Sequence, residues 1–269
     1  MSIKKIVIYA AAILVLIGCF VCYAVLTKDQ RYKEMVFEIE YQEDTLFTST
    51  DLANYVKENC PAVVGKLIDS VKLLDFGQKL KKYPYLESVD IVTNQGVVIV
   101  KAKQEKVVAK VFDAKDQQFY LTQSGKILPE SPLSAGRVVV VNGHISLKES
   151  PAEIEKKLDS LKNTKGNHSS IYTAWKIANY VEENEFWKAQ IGQIYADENG
   201  DINLVTTLGE PLVIFGKIRR CDNASQEVEQ RFENLKDIYK EGFKITGWNR
   251  YKTINLKFGR EVYCERIIE

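Results

Sequence analysis

From Ile6 to Leu26 the chain reads IVIYAAAILVLIGCFVCYAVL, 21 residues without a charge. As a helix rising about 1.5 Å per residue, this stretch spans roughly 31 Å, the thickness of a bilayer core. So apolar a segment constrains everything else: it predicts a single N-terminal transmembrane helix over 6–26, with residues 1–5 as a short head on one side and the rest of the chain on the other. Lys4, Lys5 and the amino terminus place that head in the cytoplasm. Lys28, Arg31 and Lys33 on the trailing side oppose this orientation, but a long folded body translocates largely regardless of its charge, and the N-in topology is preferred.

Two alternatives compete with an uncleaved anchor. A cleavable signal peptide has a shorter apolar run, roughly 7–15 residues, and a small-x-small exit site; Cys22-Tyr23-Ala24 is a poor one. The second is a periplasmic lipoprotein anchored through Cys19, because Leu16-Ile17-Gly18-Cys19 has the look of a lipobox. Against it, Phe20 to Leu26 would open the mature protein as another apolar stretch.

The remainder is highly charged and mixed in sign. Over the 269 residues 37 Lys+Arg stand against 36 Asp+Glu, a net charge of +1, with 27% of residues charged. That balance excludes a nucleic-acid binder working by counterion release and an acidic solvating tail, and the charge content excludes a polytopic membrane protein. His144 and His168 are the only imidazoles, which leaves little room for multi-histidine metal sites. The chain has no G-x-S-x-G elbow, no phosphate-cradling glycine loop, no H-E-x-x-H, and no C-x-x-C outside the apolar run. The expectation is a non-catalytic protein without catalytic, cofactor or metal residues.

Periodicity divides the rest into two regions, after a juxtamembrane linker over 27–35. In residues 36–106 an alternating strand, Val36 to Tyr41, is followed by a helix over Asp51 to Asn59 capped by Thr50. A second helix runs from Phe76 to Tyr83, with Asp75 and Gln78 at capping-box spacing and Pro84 as its stop. A hairpin, Ser88 to Thr93 and Val97 to Lys103, turns at Asn94-Gln95-Gly96, and its Lys101 and Lys103 keep one sheet face soluble.

Residues 107–269 alternate strands with helices. Strands are expected at Val107 to Phe112, Gln118 to Leu121, Arg137 to Val141, Gln190 to Tyr195, Ile202 to Thr206 and Leu212 to Phe215, and a single last strand at Thr253 to Tyr263. Helices are expected after Ser150-Pro151, with Ile154, Leu158 and Leu161 on one face, over Ile171 to Asn184, and over Ser225 to Glu241, closed by Gly242. The strand, helix and strand that end the chain favour a crossover between parallel neighbours, bringing Cys221 and Cys264 towards one end. A disulfide there is one reading and free thiols are the other. The fold class is thus α+β: a transmembrane helix, a β-α-α-β-β domain, then a mostly antiparallel β domain with inserted and C-terminal helices.

The β-α-α-β-β order over 36–106 resembles a POTRA domain, and that resemblance implies a loop through Val64, Leu67, Ile68 and Val71, where periodicity alone extends a helix. Further motifs point to one family. Tyr83-Pro84-Tyr85-Leu86 with Val89 and Ile91 resembles its "nPyv..aev" turn. Phe119-Tyr120-Leu121 followed by Ser124-Gly125-Lys126-Ile127-Leu128-Pro129 resembles its "fYlD..G..mP" segment. Arg137 to Gly143 resembles "arvPvvtG", and Ile254-Asn255-Leu256-Lys257-Phe258 resembles the terminal "vDLRy" strand. Together they resemble the bacterial cell-division family FtsQ/DivIB in its Bacteroidetes-like form. Thr122 replaces the expected Asp, Val107 stands where a Pro is common, Lys110 replaces an Arg, and Val140 replaces a Pro.

The resemblance implies a bitopic inner-membrane scaffold of the divisome at the septum, with its C-terminal domains in the periplasm, helping to regulate septal peptidoglycan synthesis. It implies FtsB/DivIC-like and FtsL-like small coiled-coil partners at the last strand, and other divisome components at the POTRA-like domain. Phe258 matches an anchoring aromatic and Lys257 a basic residue that pairs with a partner carboxylate. Arg260, Val262, Trp248 and Tyr251 complete the candidate patch. The alternatives are a core-facing Phe258 with Lys257 protecting an edge, and Trp248 and Tyr251 closing the β domain. At the level of the whole protein, a POTRA-bearing envelope transport or assembly factor is the runner-up.

Overall fold

A computed structural model describes residues 13–22, 30–131, 133, 136–145, 168–207, 211–218, 223–247 and 250–267. Residues 13–22 are helical and exposed, and the rest of the proposed 6–26 span lies outside the described residues. No helix among the described residues is long and apolar enough to cross a membrane. The helix expected after Ser150-Pro151, Trp248 and Cys221 also lie outside the described residues. The chain divides into two compact units, one of residues 1–40 and 48–103, the other of 41–47 and 104–269.

The smaller unit is built on a three-stranded sheet. Strand β1 (Glu34–Glu40) pairs in parallel with β3 (Val97–Gln104), whose other neighbour is β2 (Leu86–Asn94). Gln95 and Gly96 make the two-residue turn between β2 and β3, both at positive φ (48° and 84°), the backbone twist that suits an antiparallel hairpin. Helix α1 (Ser49–Asn59) and helix α2 (Leu73–Leu80) bury Leu52, Phe76 and Leu80 along with Val98, Val100 and Ala102 of β3. On another face, Lys101 pairs with Glu38 at 3.7 Å and Lys103 with Glu87 at 3.0 Å. The lysines read from sequence as solubilising are partnered by carboxylates from both flanking strands.

Two helix starts differ from expectation. Thr48, not Thr50, caps α1: its hydroxyl accepts from Asp51 N at 3.2 Å and the Asp51 carboxylate accepts from Thr48 N at 2.8 Å. A two-residue shift in a stretch rich in Ser and Thr leaves the apolar face unchanged, which is why periodicity did not separate them. Helix α2 begins at Leu73, so Asp75 lies in its first turn and is not the cap, and Tyr83 falls beyond its end. An acid there still favours the helix N-terminus through its dipole. Between the helices, Ile68–Ser70 form one 3-10 turn and Arg31 bridges Leu67, so the loop reading of 64–71 agrees with the structure.

The larger unit carries a nine-stranded sheet in the order β12-β11-β10-β9-β8-β7-β4-β5-β6. Its strands are β4 (Val107–Phe112), β5 (Gln118–Thr122), β6 (Ile127–Pro129), β7 (Val139–Gly143), β8 (Ile191–Ala196), β9 (Ile202–Thr206), β10 (Leu212–Ile214), β11 (Tyr251–Phe258) and β12 (Glu261–Arg266). The sheet is mixed: β4–β7, β7–β8 and β10–β11 are parallel and the other five pairings antiparallel. The crossover inferred between β10 and β11 is among the parallel ones.

Helices α3 (His168–Glu182), α4 (Glu185–Gln190) and α5 (Ala224–Asp237) pack their apolar stripes into one core with this sheet. The ring of Phe232 on α5 meets Tyr180 at 4.7 Å, Trp187 at 4.9 Å and Phe215 at 5.5 Å. Phe215 and Phe232 are fully buried, and each contributes roughly 1.5–3 kcal/mol by removal from water. Thr122, which stands where the sequence pattern expects Asp, fixes the β5–β6 turn with its hydroxyl, Oγ1 accepting from Lys126 N at 2.9 Å. Strand β6 itself, three residues ending at Pro129, was too short to read from alternation.

The chain's last third departs from expectation twice. The helix after β10 does not stop at Gly242. It passes through a π-turn, Ile238–Gly242, into Phe243–Thr246 and closes at Gly247, whose φ is +84°. And Thr253 to Tyr263 is not one strand: the chain reverses at Gly259-Arg260, so β11 is interior and β12 is the edge.

Candidate protein interface

The sheet ends at the β11–β12 hairpin. On its inner face Ile254 and Leu256 are fully buried, and Val262 and Cys264 pack against the same core. Strand β12 pairs with β11 alone among the described strands, leaving its outer side as a sheet edge. Such an edge carries backbone donors and acceptors able to take up another strand. The turn is fixed from the helix layer, since Asn234 Nδ2 on α5 donates to Gly259 O at 2.7 Å, and Gly259 has φ +72°.

The residues singled out from sequence divide into two groups. Phe258 is 53% exposed and meets Tyr263, 55% exposed, edge to face at 5.0 Å and 78°. Arg260 is exposed at the turn and makes no ion pair with a described residue. These three residues form an open aromatic and cationic tip beside the edge. Phe258 is therefore not a core residue.

Lys257 turns inward. Its Nζ donates to Asp201 Oδ2 at 2.6 Å, and its stem covers Gly216, where an added Cβ would stand 2.5 Å from Lys257 Cγ. Lys257, expected to meet a partner carboxylate, is held here by a carboxylate of its own chain. The turn that delivers Asp201 is organised by Asp197, whose Oδ1 accepts from Asn199 N and Asp201 N, each at 2.9 Å. Beneath it, buried Arg231 on α5 donates to the carbonyls of Phe215 and Lys217 and pairs with Glu227.

Tyr251 meets the Phe243 ring at a tilt, 5.8 Å between centroids, and is half-buried, so it closes the β domain and does not extend the tip; Val262 likewise packs against the core. Cys264 is a free thiol, and burial pushes its pKa up, away from ready reactivity. Tyr263 was missed in the sequence. Its hydroxyl donates to Glu261 Oε2 at 2.7 Å, and the carboxylate holds the phenol protonated above the usual tyrosine range. The signal for it was the Gly259-Arg260 dipeptide between two β-rich runs, a two-residue hairpin turn that places Tyr263 back beside Phe258.

The cationic residue at the β4 departure is also occupied: Lys110 pairs with Glu130 at 3.3 Å and lies over the rings of Phe112 and Tyr120. Among the described residues no cluster of His, Cys, Asp and Glu could hold a metal ion. The family model described as FtsQ/DivIB, C-terminal related, matches residues 106–265, which is most of the larger unit. No curated protein matches the chain.

Proposed function

Because the chain belongs to the FtsQ/DivIB C-terminal-related family, which suggests a cell-division-related role at the cell envelope, we propose that it is a non-catalytic scaffold of the division machinery. In this reading the charge-free run from Ile6 to Leu26 anchors the protein once in the inner membrane, with a cytoplasmic head and periplasmic units. The larger unit recruits small bitopic coiled-coil proteins of the FtsB/DivIC and FtsL kind, and the POTRA-like unit meets other divisome components. Recruitment then governs when septal peptidoglycan synthesis proceeds.

The observation that carries the proposal is the free edge of β12 beside the exposed Phe258–Tyr263 pair. A partner segment adds a strand along that edge, which supplies affinity through backbone hydrogen bonds, and the two rings with Arg260 supply a compact hot spot. Lys257 serves the interface only by keeping the base of the hairpin in place.

Co-purification with the organism's coiled-coil division proteins tests this. The paired change Phe258→Ala and Tyr263→Ala is expected to weaken capture by about 2 kcal/mol or more, the scale of an aromatic hot spot, with the thermal midpoint nearly unchanged because both rings are exposed. Undiminished capture by that variant would remove β12 as the docking edge. Fluorescent fusions that stain the envelope evenly throughout septation would remove the division role itself.

A further inference from the structure

Away from the hairpin, the larger unit contains a cleft lined by three cations and three anions, not all of which are paired with one another. Its mouth, about 440 Å³, is lined by Lys106, Arg137 and Lys188 and by Glu43, Asp44 and Glu182. Four of these charges satisfy one another. Glu182, 7% exposed, takes Lys188 at 2.8 Å and Lys106 at 3.4 Å, and Lys188 also reaches Glu43 at 3.3 Å. Among the described residues, Arg137 and the Asp44 carboxylate take no part in that network or in any other ion pair. They share one rim, because Asp44 lies against Gly136, where a Cβ would come within 2.3 Å of Asp44 Oδ1, and Arg137 is the next residue.

Behind the rim the cleft continues into a recess of about 160 Å³, walled by Val108, Val139, Val181 and Ile191 and sharing Arg137, Val138, Glu182 and Lys188 with the mouth. An exposed guanidinium and a half-buried carboxylate therefore stand on one rim, and Arg137 also lines the recess, whose wall is aliphatic in part and carries Glu182 and Lys188 elsewhere. A guanidinium is shaped to take a carboxylate through two parallel hydrogen bonds. A carboxylate accepts N–H, and the recess has room for one small aliphatic side chain. One common chemical group presents all three features: the last residue of a peptide, with its terminal carboxylate, backbone N–H and side chain. The mouth is far larger than a single residue needs, so the preceding residues have space to leave by it.

We propose that this cleft binds the carboxy-terminus of a peptide ending in a small aliphatic residue, with Arg137 on the terminal carboxylate, Asp44 on the last backbone N–H and the Val/Ile recess on the side chain. The site is separate from the β12 edge, so the two readings stand or fall independently.

The test is fluorescence anisotropy of the full-length chain with an N-terminally labelled Gly-Gly-Ala-Val peptide and its carboxy-amidated twin. The free acid is expected to bind saturably, amidation and Arg137→Glu each to weaken it about tenfold or more, the effect of losing a charge-assisted pair, and Asp44→Asn to weaken it less. Arg137 is exposed and pairs with no described residue, so its variant is expected to keep the parent's thermal midpoint. N-acetylvaline should compete. Equal binding of acid and amide, indifference to Arg137→Glu, or no saturable binding would overturn the proposal. Competition by free valine but not by N-acetylvaline would overturn it too, assigning the cleft to a free amino acid. Capture of coiled-coil partners by Arg137→Glu should match the parent whichever way the peptide result falls.

Discussion

At Thr48 a single hydroxyl and the Asp51 carboxylate satisfy two backbone donors that the start of α1 would otherwise leave to water. Thr48→Ala should cost about 1 kcal/mol of stability, measured by urea denaturation. The contact also sets a pH dependence. The Thr48 amide and hydroxyl hold the Asp51 carboxyl below its ordinary value of 3.8, so its contribution is present above that pH and is lost as pH falls through the lower, folded value. Thr48→Ala keeps the amide, the larger of the two causes, and removes only the hydroxyl, so it should flatten that acid limb in part, and the effect is small because Asp51 is open to solvent. Lys257 makes the opposite point about legibility. Its type and position were readable, but its partner was not, because Asp201 lies 56 residues away and only the strand order brings them together. Lys257→Glu places two carboxylates at a part-buried site and should cost about 1–2 kcal/mol, discounted for its partial exposure. The further change Asp201→Lys should restore part of the loss in the same denaturation experiment. A loss of partner capture in Lys257→Glu alone would therefore report on the fold of the hairpin base.

Elements with a strong period were readable from the chain: α3 and α5 through their apolar stripes, β4 and β9 through β-rich runs bounded by turn residues. What escaped were endings. Gly242 and Gly247 both look like helix stops, and the choice between them depends on the π-turn, which keeps Tyr239 and Phe243 stacked at 5.3 Å on the core. Gly242 is accommodated in right-handed backbone, whereas Gly247 must be left-handed at φ +84°. Gly247→Ala should accordingly cost about 1 kcal/mol through backbone strain, since nothing stands within 4 Å of the added methyl. Gly242→Ala should be neutral or slightly stabilising, and thermal denaturation of the two variants distinguishes the helix ends. The β11–β12 reversal escaped for a related reason. Gly-Arg lacks the Asn or Asp that usually marks a two-residue turn, so Gly259 is too weak a break to divide the eleven residues from Thr253 to Tyr263, which read as one strand. That misreading moved the free edge of the sheet by one strand, which is the difference between an anchor at Lys257 and one at Phe258 and Tyr263.

Across the whole molecule, the α+β class followed from element order and the family from its motifs, while the path of the chain followed from neither. The sequence places residues 41–47 inside the 36–106 domain, between its first strand and first helix, yet they belong to the larger unit. Leu46 and Phe47 are buried there, Leu46 N donates to Gln104 Oε1 at 2.9 Å, and Ser131 Oγ donates to Leu46 O at 2.5 Å. Leu46→Ala should therefore cost about 2–5 kcal/mol as a core truncation, and hydrogen exchange should show the loss in β4–β6, not in β1–β3. No periodic signal could have announced this, because seven residues without alternation carry none. The chain enters the larger unit, returns to the smaller one and enters again, so the two are interleaved along the polypeptide. Recombination at a single breakpoint cannot exchange such units as cassettes. A crossover near residue 104 would pair one lineage's sheet with another lineage's Leu46 and Phe47, so the two units are expected to have descended together, with substitutions in 41–47 tracking those around Gln104 and Ser131.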